Sequence, residues 1–284
     1  MLELTSMIKR MKTRRSDRLV DMARFLLEHP RQLISLSHFA ERYESAKSSI
    51  SEDLAIIKRT FADRGTGRLE TVPGAAGGAR FVPTMSKEEA AEFVEDIRAM
   101  VSDETRVLPG GYVYLSDLLG RPDILRQAGR LITTQYVNEE IDAVMTAATK
   151  GIPLAQAVAE QLNVPFVIVR DDAKVTEGPM VSVNYLTGSS KRVEKMALSR
   201  RSLKPGARVL IVDDFMKAGG TIQGMQTLVR EFDGEVVGTA VFAEGRSTVR
   251  LLEKFTSLLH VETNLSSGQP IAVQAGNYEE EIFN

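Results

Sequence analysis

The sequence contains no cysteine, no tryptophan and only three histidines among 284 residues. Without cysteine the chain can form neither a disulfide nor a thiolate zinc site, which suits a reducing compartment. Three scattered histidines argue against a histidine-based metal site or a catalytic triad. No run of about 18 apolar residues occurs, and the first residues lack the apolar centre of a secretion signal. We therefore expect a cytoplasmic protein that does not cross a membrane.

The length and the charge distribution predict two domains with different partners. A chain of 284 residues exceeds the usual size of one domain, and we place the boundary between residues 1–83 and 84–284. Residues 1–82 hold 15 Lys and Arg against 10 Asp and Glu, whereas the remainder holds 21 against 28. A basic front on an acidic body suggests that the front meets a polyanion.

The front segment has the pattern of three helices followed by a hairpin. Ser16 and Ser35 are candidate N-caps of the first two helices, and Ser49 with Glu52 has the spacing of a capping box in the third. Each helix has one apolar stripe, and a tight connection joins the second helix to the third. Two short extended arms around a Gly/Ala tip follow at 67–83. Together these elements predict a winged helix-turn-helix domain.

The outer face of the third helix carries short polar side chains, which let the helix backbone approach the floor of a groove in double-stranded operator DNA. Basic residues at the helix entrance, on the helix, before the first helix and past the hairpin tip can contact phosphates. The candidate DNA-binding residues are Arg14, Arg15, Lys47, Ser48, Ser49, Ser51, Arg59 and Arg80. The alternative is a small dimerisation or ligand-coupling domain whose basic residues are merely solvated.

The body alternates apolar, β-branched runs with helical patterns, which predicts an α/β domain with a mostly parallel sheet covered on both faces. Ligands in such folds bind beyond the carboxyl ends of the strands. Two suggestive turns follow strands in this way, "TKGIP" at 149–153 and "DDFMKAGGT" at 213–221. We expect both turns to lie at one site.

The second of these turns predicts a site for a phosphorylated ribose. We expect its strand to end at Asp213 and Asp214 and a helix to start near Thr221. Small residues between them let successive backbone N–H groups converge on an anion at the helix N-terminus. Two carboxylates beside a phosphate need another partner, which a ribose diol or Mg²⁺ would supply. A Gly-Gly turn alone is more often structural, but the acidic pair with the glycines and threonine is more specific.

The stretch "VLIVDDFMKAGGT" resembles the phosphoribosyl-pyrophosphate (PRPP) signature of type I phosphoribosyltransferases. Residues 108–245 resemble bacterial xanthine phosphoribosyltransferases, and the whole chain, with "AERYESAKSSISEDL", resembles the family of pur operon repressors of Gram-positive bacteria. The resemblance implies PRPP as effector, with Mg²⁺, and a flexible loop at 174–196 over the site. It also implies a homodimer. The implied contact residues are Asp213, Asp214, Lys217, Ala218, Gly219, Gly220, Thr221, Lys150, Gly151 and Tyr112.

The resemblance and the residues together favour effector binding over catalysis, and no residue is assigned as catalytic or as a metal ligand. Lys217 places a long cation where the family's enzymes commonly have a small residue, which would strengthen ground-state binding without selectively helping the transition state. Tyr112 is placed at the edge of the site, its alternative being an ordinary core residue. We expect a repressor of purine biosynthesis genes that PRPP releases from DNA. We also expect purine nucleotides to compete with PRPP for its binding site. The alternatives are an active purine phosphoribosyltransferase with a regulatory head and a DNA-independent PRPP sensor.

Overall fold

The structure, a computed structural model, describes residues 13–74, 77–109, 112–171, 178–187, 192–263 and 271–284. It divides the chain into two compact units, Met1–Thr84 and Met85–Asn284. The boundary expected from the sequence lies one residue earlier. Lys9, Arg10 and Lys12, which the sequence places before the first helix, lie outside the described residues.

The first unit is a winged helix, which confirms the predicted class. Its elements in order are α1 (Arg15–Glu28), β1 (Ile34–Ser35), α2 (Leu36–Arg42), α3 (Lys47–Asp63), β2 (Arg68–Val72) and β3 (Gly78–Val82). The three strands form an antiparallel sheet in the order β1–β3–β2. Strands β2 and β3 are the two arms of the predicted hairpin.

The core of the first unit is built by the apolar stripes of its helices. Met22 and Leu26 of α1, Phe39 of α2 and Ile50 of α3 are fully buried in one cluster. Phe61 of α3 meets Phe81 of β3 edge to face, with ring centroids 5.3 Å apart. The hairpin is therefore packed against the helices by the same core that joins the helices.

Two of the three predicted helix starts are wrong. Helix α1 follows Arg14 as its N-cap, so Ser16 lies inside the first turn. Helix α3 follows Ala46, so Ser49 also lies inside the first turn and makes no capping box with Glu52. The N-cap residues Arg14 and Ala46 have extended backbones, and each helix begins directly after them without a side-chain cap hydrogen bond. Ser35 is the cap of α2, and its hydroxyl accepts a hydrogen bond from the amide of His38 at 3.1 Å.

A buried ion pair ties α1 to α3. The carboxylate of Asp53 is completely buried, and it accepts hydrogen bonds from Nε of Arg18 at 2.6 Å and from Nε of Arg15 at 2.8 Å. Arg18 also donates from Nη1 to the hydroxyl of Ser45, at 3.1 Å, in the connection before α3. These contacts fix the inner face of α3 to α1, so that its outer face is free of this packing.

The second unit begins with α4 (Lys87–Val101) and contains a six-stranded sheet. The small elements are β4 (Val107–Leu108), β5 (Tyr112–Val113) and a hairpin of β8 (Met180–Leu186) and β9 (Val193–Ser199). The main succession is α5 (Pro122–Thr134), β6 (Ala143–Ala147), α6 (Ile152–Leu162), β7 (Phe166–Val169), β10 (Arg208–Met216), α7 (Gly220–Arg230), β11 (Glu235–Gly245), β12 (Thr256–Thr263), β13 (Ile271–Ala275) and α8 (Tyr278–Phe283).

The sheet order is β13–β12–β11–β10–β6–β7, and every neighbouring pair is parallel except β12 with β13. Residues alternate between two cores along β10, with Leu210 and Val212 on one face and Val209 and Ile211 on the other. Both faces are thus covered, which explains the continuous apolar run of this strand. The predicted α/β class with a mostly parallel sheet is confirmed.

Among the described residues, the search for a membrane-crossing segment found none: no helix there has both the length and the apolar character required.

Candidate functional site

The turn after β10 lies at the carboxyl end of the sheet. The strand does not end at Asp213 and Asp214, as the sequence suggested, but continues through Phe215 to Met216. It continues because β11 pairs with it as far as Met216, opposite Glu244. Helix α7 then begins at Gly220, one residue before the expected start.

The residues between strand and helix form a small cradle. Gly219 has a φ of +92°, a conformation that favours glycine, and a Cβ atom there would lie 3.2 Å from Cβ of Leu252. A cavity of about 200 Å³ opens at this turn. The lining residues are Thr187, Asp213, Phe215, Met216, Lys217, Ala218, Gly219, Gly220, Thr221 and Ile222. Half are glycine, alanine or threonine, and the N-terminus of α7, whose first amides have no partner within a helix, faces the space, which suits an anion.

The two carboxylates beside the cradle have different surroundings. Asp213 is only 5% exposed, whereas Asp214 is half-buried. Oδ1 of Asp213 accepts the backbone N–H of Asp214 at 3.0 Å, and the hydroxyl of Thr149 lies 3.5 Å from Oδ1 of each carboxylate. Burial, followed by the nearby charge of Asp214, raises the pKa of Asp213 well above its ordinary value. The pair is therefore suited to hydroxyl donors or a cation.

The turn after β6 lies directly against this acidic pair. A Cβ atom at Gly151 would lie 2.5 Å from Oδ1 of Asp213 and 2.8 Å from Oγ1 of Thr146. Only glycine allows the backbone to pass at this distance. Gly151 donates weakly from its amide to Oγ1 of Thr149, at 3.5 Å. Lys150 is exposed and forms no ion pair with any described residue. 

A larger cavity of about 950 Å³ adjoins the acidic pair. Its lining comes from four parts of the second unit: the β4–β5 hairpin, the turn after β6, the end of β10 and the ends of β11 and β12. The lining residues are Leu108, Pro109, Tyr112, Val113, Thr149, Lys150, Asp213, Asp214, Phe215, Lys217, Thr221, Gly245, Arg246, Thr248, Val261 and Thr263. Tyr112 is 71% exposed, so it is not the core residue that was its alternative.

The structure brings together the ten residues that the sequence assigned to effector binding. Nine of them line one or both cavities, and the tenth, Gly151, contacts the carboxylate of Asp213. Sequence reasoning missed Thr149, Thr187, Arg246 and Thr248. For Thr149 a signal existed, since it stands beside Lys150 in the turn already identified, and Thr187 lies in the predicted loop at 174–196, whereas Arg246 and Thr248 come from a segment without a motif. Parts of the predicted flexible loop, 174–177 and 188–191, lie outside the described residues.

The candidate DNA-binding surface lies on the outer face of α3. Lys47, Ser48, Ser51 and Arg59 are exposed there, and Ser49 is half-buried. The opposite face of the helix carries Ile50 and other core residues. The structure therefore presents most of the predicted contact residues of this helix to solvent on one side.

The remaining basic candidates have acidic neighbours. Arg14 is exposed at the start of α1, but Arg15 is held by Asp53 and lies 3.6 Å from Glu52. Arg80 lies in β3, past the hairpin tip as the sequence predicts, and donates from Nη2 to Glu70 on β2 at 2.6 Å. Arg68 shares the same carboxylate, and hydrogen bonds from Arg80 help to hold the pKa of Glu70 below its usual value against the effect of burial. The charge of Arg80 is thus partly neutralised.

Comparison with known proteins follows the same division. Residues 14–83 match the family model described as the N-terminal domain of the bacterial purine repressor, and residues 116–273 match the phosphoribosyl transferase domain. The chain is 54% identical over 269 residues to the purine biosynthesis transcriptional repressor PurR of Bacillus subtilis (strain 168), covering 94% of each chain. This chain belongs to the bacterial purine repressor family.

This chain is also similar to relatives that are named as activators of transcription. The purine biosynthesis transcriptional activator PurR of Lactococcus lactis subsp. lactis (strain IL1403) is 52% identical over 272 residues, covering 95% of this chain and 99% of the relative. Among solved structures, adenine phosphoribosyltransferase from Rhodothermus marinus DSM 4252 matches with 28% identity and a TM-score of 0.48. That match covers 54% of this chain and 87% of the other.

Proposed function

We propose that this protein is a DNA-binding transcriptional repressor of purine biosynthesis genes and that PRPP is the effector that releases it from operator DNA. One observation carries the effector part of the proposal. Two separate segments of the chain, the β10–α7 connection with its acidic pair and small-residue cradle and the glycine turn after β6, surround adjoining cavities at one edge of the sheet.

The first unit would bind DNA through α3. Its exposed face carries short polar residues near its start, with Lys47 at the entrance and Arg59 about three turns further on. Short side chains allow the helix to lie deep in a major groove, and the two cations can contact phosphates or base edges. Arg15 and Arg80 contribute less, because each already has a carboxylate partner. Arg14 remains available before α1.

The second unit would bind PRPP in an extended arrangement across both cavities. The amides of Lys217 to Gly220 and the hydroxyl of Thr221 would bind the 5′-phosphate. Asp213 and Asp214 would accept hydrogen bonds from the ribose hydroxyls. Lys150 and the backbone at Gly151 would contact the pyrophosphate, with Tyr112 at the cavity edge.

The oxygen donors of this site suit Mg²⁺ bound together with PRPP. Carboxylate oxygens are ligands that Mg²⁺ prefers, and it commonly binds with one or two carboxylates and the phosphates of a substrate. Asp213 and Asp214 lie close enough for their charges to oppose each other, as the raised pKa of Asp213 indicates. A bound cation would offset that repulsion. The described residues contain no further group of three or more acidic or histidine side chains arranged to hold a metal.

Relief of repression requires that PRPP bind the DNA-free state better than the DNA-bound state, since a ligand with equal affinity for both shifts nothing. A polyanionic ligand can provide this difference through its charge or through ordering of the site. A homodimer would match the two-fold symmetry of an operator and is part of the proposal. Purine nucleotides, which carry the same 5′-phosphate, would compete for the cradle. Calorimetry that shows no competition between them and PRPP would contradict that point.

A binding role is favoured over catalysis by Lys217. It is exposed at the mouth of both cavities, where it can attract the charge that the ground state of a polyphosphate already carries. Such binding does not selectively stabilise a transition state. Incubation with PRPP, Mg²⁺ and each purine base should therefore release no pyrophosphate beyond the uncatalysed rate. Turnover at ordinary enzyme rates would establish the alternative, a working purine phosphoribosyltransferase.

The test is a gel-shift experiment on a purine promoter, titrated with PRPP in Mg²⁺. The wild type should bind in a salt-sensitive manner and dissociate as PRPP rises. The double variant Asp213→Ala/Asp214→Ala should bind DNA equally well and ignore PRPP. A matched control is Glu92→Ala/Asp96→Ala, which removes two exposed acidic residues from α4 and should behave like the wild type.

Two results of this experiment would overturn the proposal. A double variant that still responds to PRPP would show that the acidic pair does not hold the effector. Absence of salt-sensitive promoter binding by the wild type would instead favour the PRPP sensor that acts without DNA.

A further inference from the structure

The segment 246–255, between β11 and β12, supports the phosphate cradle from behind. Leu251 donates its backbone N–H to the carbonyl oxygen of Ala218 at 2.8 Å. Leu252 is buried beside Met216 and Ile222, and its Cβ lies 3.2 Å from the position a Cβ would take at Gly219. The cradle therefore depends on where this segment holds residues 251 and 252.

Arg250 is the anchor of this segment. Its Nη1 donates to Oε2 of Glu244, whose side chain is 9% exposed, and its guanidinium lies 5.0 Å from the ring centroid of Phe255. Oε1 of Glu244 accepts a hydrogen bond from the hydroxyl of Ser257 at 2.8 Å, and Nδ1 of His260 lies 3.8 Å from Oε2. A carboxylate held in this way fixes the guanidinium that pairs with it.

The ion pair itself faces away from the ligand cavities. Glu244 and His260 are partners across β11 and β12, as are their neighbours Gly245 and Val261. Gly245 and Val261 line the larger ligand cavity, whereas Glu244 and His260 line a separate one, because successive residues of a strand point to opposite faces. Arg250 is not among the described residues that line either ligand cavity.

We propose that Arg250 is a positioning residue for the phosphate cradle: by pairing with Glu244 it holds Leu251 and Leu252 against Ala218 and Gly219. The inference rests on the proposed PRPP site, which it deepens by naming what keeps the cradle in shape. Between Arg246 and Leu251 most residues are exposed, and Val249 is 63% exposed. Packing of the segment's own side chains therefore offers little to replace the ion pair before Leu252.

The first measurement uses ligands that test the two ends of the site separately. In the full-length protein, Arg250→Ala should weaken the binding of PRPP and of ribose 5-phosphate about tenfold each, the effect of losing one well-placed charged hydrogen bond. Binding of inorganic pyrophosphate, for which the 149–151 turn is proposed, should stay within twofold of the wild type, about the scatter expected without a direct effect. Arg250→Lys keeps the charge and should recover part of the loss.

Arg208→Ala is the matched control. The side chain of Arg208 has the same exposed fraction as that of Arg250, 32%, and pairs with Glu139 and Glu235, but it lies at the opposite end of β10. This variant should bind all three ligands like the wild type. Equal weakening of all three ligands by Arg250→Ala, or no weakening of any, would overturn the proposal.

The second measurement needs no ligand. Hydrogen exchange of the Leu251 amide should become at least about tenfold faster in Arg250→Ala and remain slow in Arg208→Ala, since local opening sets the exchange rate. Unchanged exchange at Leu251 would also overturn the positioning role. If the wild type binds neither PRPP nor ribose 5-phosphate, the proposed function fails, while the exchange measurement still decides the role of Arg250.

Discussion

Gly151 lies so close to Asp213 that a Cβ atom at position 151 would be 2.5 Å from the carboxylate oxygen Oδ1. The contact joins the turn after β6 to the acidic pair at the end of β10. The carboxylate of Asp213 is buried, and the close approach of the turn requires that position 151 carry no side chain.

Gly151→Ala should therefore damage the site more than the fold. The added methyl group forces Asp213 or the 149–151 turn to shift, at a cost of about 1–3 kcal/mol in unfolding free energy. We expect PRPP affinity, measured by calorimetry, to fall by at least about tenfold, because the shift moves two proposed contacts at once. Gly120→Ala is the control, since its Cβ would lie no closer than 3.2 Å to the nearest atoms, the carbonyl oxygens of Ser116 and Asp117, and it lies outside both cavities. Wild-type affinity in Gly151→Ala would contradict the placement of the turn.

Asp213→Asn should stabilise the ligand-free protein, and increasingly so as the pH rises. Burial and Asp214 raise the pKa of Asp213 in the folded state above the ordinary value of 3.8, so the folded state favours the protonated form. Below pH 3.8 the carboxyl is neutral in both states, and the wild type loses stability as the pH rises toward the folded pKa. The amide never ionises and escapes this loss.

The measurement for Asp213→Asn is urea unfolding of both proteins between about pH 4 and pH 8. The difference in unfolding free energy should grow with pH and level off above the folded pKa of Asp213. Carboxyl groups remote from Asp213 and Asp214 are common to both proteins and cancel in the difference. A difference independent of pH would contradict the raised pKa, and PRPP binding by the variant should be weaker throughout.

Lys47→Ala and Arg59→Ala should each weaken promoter binding through loss of phosphate contacts. Each substitution should reduce the slope of log K against log salt concentration by about one unit. Arg98→Ala serves as control, because Arg98 lies on α4 of the second unit and pairs with Glu95 on the same helix. Fluorescence anisotropy at several salt concentrations gives the slopes. An unchanged slope for both variants would place the DNA contact elsewhere.

Arg18→Ala should destabilise the winged helix far more than Arg15→Ala. Arg18 is buried and pairs with the completely buried Asp53, so its removal leaves that charge short of a partner, at a cost of about 3 kcal/mol. Arg15 is 54% exposed, and its loss should cost less than about 1 kcal/mol. Urea unfolding followed by circular dichroism measures both. Equal losses of unfolding free energy would show that the two arginines stabilise the Asp53 carboxylate equally.

The sequence was sufficient for the local features of the molecule. The apolar run before Asp213 predicts a strand buried on both faces. The small residues after it predict a turn whose backbone is closely approached by other atoms. Both follow from the period and size of neighbouring residues. The strand continues beyond the end that Asp213 and Asp214 predict, because Phe215 and Met216 pair with β11.

Contacts between distant segments could not be read in the same way. Nothing in the order of residues shows that Arg250 meets Glu244, or that Leu251 reaches Ala218. The pairing of Arg80 with Glu70 depends on the hairpin register, which places them directly opposite each other. Serine favours the N-cap position, but Ser16 and Ser49 each lie within a helix, and neither N-cap residue, Arg14 or Ala46, makes a side-chain cap hydrogen bond.

The cradle between β10 and α7 presents mostly main chain, and Lys217 is its one long charged side chain among the lining residues. Substitutions elsewhere in the turn would deform it, whereas a change at position 217 alters attraction without altering shape. In the proposed PRPP site, the affinity for the effector would therefore change with a single codon. A set of variants at that codon would yield regulators with graded thresholds on an unchanged scaffold.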